Sequence, residues 1–333
     1  MNNKKVITFG EVMLRLSTQG FERFTQASGF RATYAGAEAN VAASLVQFGV
    51  PVAHVSRFPN NDLGTAATRA LRKLGVNTSH ILYGDERMGV YFIENGAIIR
   101  ASRVIYDRFE SAFAQIQKGM VDWDTVLKDA GWFHYTGITP AISQGAADVC
   151  LEALKVANKK GITVSGDINY RRNLWRYGKS ARDIMPALVN LTDILVAGAN
   201  DMENSMGVKA DSFEDACRDS FRKFSNLKKI AKTNRDSINS SHNKITAKLF
   251  NGKKVLKSKT YDLTHIVDRV GAGDAFMAGL IFGWVSDKSD QDALEFATAA
   301  CAWKHTVEGD VNLASREEIE SLVKGENVGK LMR

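Results

Sequence analysis

The feature that most restricts the fold is a regular exchange of short β-rich runs for helical segments along the chain. Residues 6–9, 54–58, 132–138, 162–167, 194–197 and 229–233 have the apolar, β-branched and aromatic content of strands. Helical patterns lie between them. Residues 40–48 are closed by Gly49 and residues 63–74 by Gly75, and residues 146–159 form an amphipathic stretch. A strand that must return in the same direction needs a crossover, so the alternation predicts βαβ units and a mostly parallel sheet. Such sheets bind ligands outside the carboxyl ends of their strands.

Two stretches break the alternation. Residues 12–34 carry no clear helix. Residues 88–108 hold Val90-Tyr91-Phe92-Ile93, then Glu94-Asn95-Gly96, then an apolar run over 97–104. Asn-Gly between apolar strands predicts a tight hairpin. No repeat, low-complexity tract or Pro-rich linker divides the chain. The expectation is one domain over residues 1–333 with a small antiparallel lid built from about 12–35 and 88–108.

Composition narrows the class. Hydrophobic residues make up 44% of the 333, which excludes a disordered chain. The formal net charge of +7 could serve a polyanion, a membrane surface or a small anionic substrate. No contiguous basic run with interleaved aromatics occurs, only pairs such as Lys228-Lys229 and Lys253-Lys254, so neither a nucleic-acid nor a membrane partner is expected. Cys150, Cys217 and Cys301 are far apart and odd in number, which points to buried reduced thiols. The apolar run after Met1–Lys5 is too short for a secretory leader, and residues 276–285 fall far short of a membrane span. A cytoplasmic protein is expected.

The sharpest motif is Asp268-Arg269-Val270-Gly271-Ala272-Gly273-Asp274-Ala275-Phe276, opening an apolar helix. Small residues allow close backbone approach, and free amides at a helix start attract an anion. A carboxylate inside that site would compete with the anion. Asp274 makes sense if it takes a proton from a hydroxyl while the amides hold a transferring phosphoryl group. Read alone, it is as well explained as a helix cap. The dinucleotide fingerprint fails because Phe276 replaces its third Gly, and no Gly-Lys-Ser/Thr exists for a Walker loop. A second motif, Ala35-Gly36-Ala37-Glu38-Ala39-Asn40, opens the first long helix. Its small residues permit close substrate approach, and Asn40 can bond a hydroxyl.

Together the two motifs resemble the two signatures of the ribokinase-like (PfkB) carbohydrate kinase family, over essentially the whole chain. Gly10-Glu11 after the first strand and Asn200-Asp201-Met202-Glu203 after a later one agree. The resemblance implies a three-layer α/β sandwich with a mostly parallel central sheet and a small β lid. It implies Asp274 as catalytic base and Gly271, Ala272 and Gly273 as the anion hole. It implies ATP with Mg²⁺, supported by Asn200 and Glu203, and in some members a monovalent cation near the C-terminal segment that here includes Lys304-His305-Thr306 and Gly309-Asp310-Val311-Asn312.

Arginines suggest the acceptor. Arg100, Arg103 and Arg108 fall in or beside the hairpin with Tyr91 and Tyr106, and Arg171 and Arg172 follow a strand. Arginine recognises a carboxylate with two parallel hydrogen bonds, which a neutral sugar does not require. Arg100 and Arg103 read as solvated charges. Tyr106-Asp107-Arg108 and the segment from Asp167 through Trp175 resemble the 2-keto-3-deoxygluconate kinase branch of the family. By that resemblance Arg108 and Arg171 bind a sugar carboxylate, Tyr91 and Tyr106 line the sugar site, and Gly36 and Asn40 meet its hydroxyls. The alternatives are kinases of 5-dehydro-2-deoxygluconate, fructose or ribose, and a non-catalytic sugar-binding protein.

Two departures from the family stand out. Residues 234–241 contain no Gly where a Gly-rich nucleotide turn is common. Thr233, Arg235 and Asn312 are the nucleotide-site candidates. Arg269 stands where many members carry a small hydroxyl residue. By the same resemblance, relatives commonly pair lids between subunits, so a homodimer or higher homo-oligomer through the lid is expected.

Overall fold

The computed structural model describes residues 5–326. The leader segment considered above, residues 1–4, lies outside the described residues. The strands are β1 (Lys5–Phe9), β2 (Met13–Ser17), β3 (Arg31–Ala35), β4 (Val52–Pro59), β5 (Asn77–Gly84), β6 (Val90–Glu94), β7 (Arg103–Asp107), β8 (Ala130–Thr136), β9 (Thr163–Asp167), β10 (Ile194–Val196), β11 (Lys229–Asn239), β12 (His242–Phe250), β13 (Val255–Lys257) and β14 (Tyr261–Leu263).

The large sheet has the order β13-β12-β11-β10-β9-β8-β1-β4-β5, with β14 paired to β12. From β11 to β5 every pairing is parallel, and only β12, β13 and β14 join antiparallel. A parallel sheet is stable when both faces are covered, and its strands then read as continuous apolar runs. Successive residues here alternate between two cores. Ile7, Ala53 and Phe133 pack on one face with the helix Gln144–Lys159. Val6, Val52 and Trp132 pack on the other with the helices Ala37–Gln47 and Ala272–Val285. The period of two along a strand therefore produces the three layers. The helix Ala272–Val285 is apolar all round because it lies between the sheet and the helix Asp290–Lys304. Cys150, Cys217 and Cys301 are buried free thiols. Among the described residues no helix is long and apolar enough to cross a membrane.

The small sheet has the order β3-β2-β6-β7, antiparallel except for the β2–β6 pair. The predicted tight hairpin is corrected here. The second strand starts at Arg103, not at residue 97, and Glu94 pairs with Arg103. A two-residue Asn-Gly turn needs positive φ at both positions, and neither Asn95 nor Gly96 has it. Residues 95–102 form a longer loop with Ile98 at φ 50°. Its tip reaches the β11–β12 turn, where Ser240 N donates to Ile98 O at 2.8 Å.

Candidate active site

A cavity of about 630 Å³ opens at the carboxyl ends of the parallel strands, roofed by the inner face of the small sheet. Strand order arranges its wall. Glu11 follows β1, Ile138 follows β8, Asp167 and Asn169 close β9, Gly198 and Asp201 follow β10, and Lys232, Thr233 and Arg235 lie on β11. The lid therefore covers the β1 end, and the basic residues of β11 line the opposite end. Inward-facing residues alternate along the lid, with Tyr91 and Ile93 on β6 and Val104 and Tyr106 on β7. Tyr91 and Tyr106 are register partners, with ring centroids 5.9 Å apart.

Gly271 begins the helix Ala272–Val285 at φ 81°, and a Cβ there would lie 1.8 Å from the Asp310 carbonyl oxygen. Only glycine meets both demands. Ala272, Gly273 and Asp274 occupy the first turn, whose amide donors and dipole face the cavity. Gly273 has open space where a side chain would project. Asp274 sits inside this positive helix end, and Asn40 Nδ2 donates to its Oδ2 at 2.7 Å. Burial pushes its carboxyl up to about 7. The nearby Asp310 and Glu38 add to the rise, while Asn40 and Arg171 oppose it. A carboxyl poised near neutrality beside an anion-binding helix end can accept a proton from a hydroxyl.

Gly36 caps the helix Ala37–Gln47, and its missing Cβ would lie 2.0 Å from the Glu11 carbonyl oxygen. The glycine lets the first strand's exit and the Asn40 helix meet at the cavity. Beneath them, Glu38 is buried and accepts from Thr136 N, Thr136 Oγ1 and Thr139 Oγ1.

The two arginines assigned to a carboxylate differ. Arg108 is buried and already paired, with Nε donating to Glu11 Oε2 at 2.8 Å while Ser111 Oγ holds Glu11 Oε1. It also lines the cavity. Arg171 is exposed to the cavity, has no acidic partner among the described residues, and makes one long contact of 3.4 Å to the Tyr170 carbonyl. It is the guanidinium free to take an anion.

At the far end Thr233 and Arg235 line the cavity with Lys232 and Arg269. The expected Gly-rich turn is replaced by continuous strand. β11 runs on to Asn239 and pairs with β12, Arg235 opposite Ile245. Arg269 donates to Ser240 O at 2.8 Å, so it braces this hairpin. Asn312 is buried, holds the Ala314 amide and does not line the cavity. Asn200 and Glu203 also stand off the wall. Asn200 Oδ1 accepts from Asn204, and Glu203 faces Lys209. Between them Asp201 does line the cavity, as does Asp167.

Asp167 went unassigned from sequence although it lies in the quoted segment. Burial, then the Asp201 and Asp274 charges, push its carboxyl up to about 8. A second unforeseen group lies behind this helix start. Arg15 on β2 donates to Asp310 at 2.6 Å and to Asp268 at 2.8 Å, and Tyr91 Oη donates to Asp310 at 2.7 Å. These partners are separated by over 200 residues, so no local signal links them.

The pfkB family carbohydrate kinase profile matches residues 3–316. A crystal structure of 2-dehydro-3-deoxygluconokinase from Thermotoga maritima superposes with a TM-score of 0.92 at 42% identity, covering 97% of this chain and 100% of that one. The chain is 31% identical to the 2-dehydro-3-deoxygalactonokinase of Haloferax volcanii over 98% of both. It is 28% identical to the 2-dehydro-3-deoxygluconokinase of Bacillus subtilis over 96% of this chain and 95% of that one.

Proposed function

The chain belongs to the pfkB family of carbohydrate kinases, and on that premise we propose that it transfers the γ-phosphoryl group of ATP to the 6-hydroxyl of 2-dehydro-3-deoxy-D-gluconate in the cytoplasm. The observation that carries the sugar assignment is Arg171, an unpaired guanidinium in the cavity that holds Asp274. The names of the similar proteins from Thermotoga and Bacillus support the same acid.

In this reading Arg171 fixes the substrate carboxylate, and the cavity's length sets the 6-hydroxyl at Asp274. Arg108 acts through Glu11, stiffening the corner where β1 meets the lid. Tyr91 and Tyr106 cover the sugar, and the lid excludes water that would otherwise hydrolyse ATP. Asp274 takes the hydroxyl proton as the oxygen attacks phosphorus and the bond to the ADP oxygen breaks. The amides of Ala272 and Gly273 hold the charge on the phosphoryl oxygens. Lys232, Thr233 and Arg235 receive the nucleotide phosphates.

Among the described residues no three His, Cys, Asp or Glu side chains cluster to hold a metal by themselves. Mg²⁺ needs less, since it keeps several waters and takes phosphate oxygens. Asp167 and Asp201 are oxygen donors of the right kind, and the Asp167 carboxyl, raised by burial and neighbouring acids, is a place where a cation would restore the ionised form. They would hold the ion. Bound there, Mg²⁺ neutralises charge on the β- and γ-phosphates.

The galactonate epimer is a second reading, favoured by the Haloferax relative. The two acids differ only in configuration at C4 and share the carboxylate that Arg171 would bind. Pairing of lids through the exposed β7 edge into a homodimer fits this reading. The test is ADP release with both epimers, 5-dehydro-2-deoxygluconate, fructose and ribose. Turnover of either epimer well above the rest is expected. Equal turnover of a neutral sugar overturns the acid assignment, and binding without ADP release overturns the enzyme.

A further inference from the structure

Lys304 ends the helix Asp290–Lys304 and is fully buried, yet no carboxylate among the described residues lies within ion-pair distance of it. A buried lysine is almost always paired. This one is solvated by main chain instead. Its Nζ donates to the Val307 carbonyl at 2.8 Å and lies 3.5 Å from the Asp268 carbonyl. Both carbonyls belong to segments that build the anion hole. Asp268 starts the run into Gly271, and the 307–310 loop ends at the Asp310 carbonyl against which Gly271 is packed.

The neighbouring acids are already engaged. Asp268 accepts from Arg15, Gly309 N and Val270 N. Asp310 accepts from Arg15 and Tyr91. Arg15 and Lys304 thus face Asp268 and Asp310, and Arg269 also faces Asp268. Without the ammonium, less positive charge would balance these acids behind a site that, on the kinase reading, receives phosphoryl oxygens. An ammonium held by carbonyl oxygens is chemically what a bound K⁺ or NH₄⁺ ion is.

We propose that the Lys304 ammonium is a tethered monovalent cation built beneath the anion hole. It acts as a positioning residue, holding the Asp268 and 307–310 segments so that the Gly271–Gly273 amides keep their aim. The chain then needs no added monovalent ion. The inference rests on the kinase reading, so one of its readouts, the rise in Tm caused by Mg-ADP, is independent of the acceptor sugar.

The wild type, Lys304→Ala and Lys304→Met are compared in choline, K⁺, Na⁺ and NH₄⁺ chlorides at equal ionic strength. Wild-type turnover and the Mg-ADP shift should change less than about twofold among salts. Lys304→Ala should lose roughly tenfold or more in kcat in choline, with little change in KM for the sugar, and K⁺ or NH₄⁺ should restore most of the loss. Lys304→Met fills the space with an uncharged chain, so it should lose as much and recover in no salt. Strong K⁺ stimulation of the wild type overturns the proposal, as does a Lys304→Ala defect that no cation relieves. If Lys304→Ala folds poorly in choline, a Tm gain specific to K⁺ supports the proposal, and equal melting in both salts overturns it.

Discussion

Asp274→Asn should separate catalysis from stability in opposite directions. The carboxyl has its affinity for a proton raised from 3.8 to about 7, chiefly by burial. Its ionised form is thus disfavoured in the folded protein, at a cost of at most ~4 kcal/mol. The side chain is only half-buried on an open cavity, so solvent screening reduces the figure to ~1–2 kcal/mol. The sign follows from proton binding. Below pH ~4 the group is protonated in folded and unfolded chains alike, and there is no cost. As pH rises from ~4 to ~7 the unfolded chain ionises first and gains relative stability. Above ~7 both are ionised and the full cost persists. The amide that replaces the carboxyl in Asp274→Asn carries no charge and can still accept from Asn40 through its oxygen. The variant should therefore melt ~1–3 °C above wild type at pH 8 and level with it near pH 4. Its kcat should fall by ~10²–10⁴. Wild-type kcat/KM should itself fall as pH drops below about 7. Differential scanning fluorimetry across pH, paired with ADP release, measures all three. Near-normal turnover would remove Asp274 as the base, and a lower Tm at pH 8 would remove the buried-carboxylate argument.

The two arginines should part company. Arg171→Ala should raise KM for the acid by about tenfold or more, with a small change in Tm, because it removes a charge-assisted bond from an exposed side chain held only by one long contact to the Tyr170 carbonyl. Arg108→Ala strands the buried Glu11 carboxylate and should cost ~3–5 kcal/mol of stability, read as a fall in Tm. Equal Tm losses in both would contradict their assigned partners. Gly271→Ala should abolish turnover or folding, since it adds left-handed strain and a Cβ on the Asp310 carbonyl. A soluble, active Gly271→Ala protein would show that the loop can move aside.

What could be read from residues alone follows the range of the interactions. The parallel sheet and its helices were legible because apolar periodicity and glycine stops are local signals. The Gly-Ala-Gly-Asp helix start was legible because small residues at a helix N-terminus are a local signal. The Asn-Gly hairpin misled because a dipeptide's turn preference yields when residues 95–102 reach across to Ser240. The ion pair of Arg108 was hidden for a related reason. Its partner Glu11 is 97 positions away, and only the fold brings β1 under the lid. The missing Gly-rich turn is likewise resolved by pairing, since β12 continues the strand that sequence had stopped at Thr233. The site's charges sort themselves by this rule. Arg15 and Arg108 are paired with distant acids, and Arg108 lines the cavity as well. Arg171 and Arg235 have no acidic partner among the described residues and face its interior. A net charge of +7 is therefore a poor guide to what the chain binds. The informative quantity is which cations the fold leaves without an ion pair, and here Arg171 and Arg235 both line one cavity.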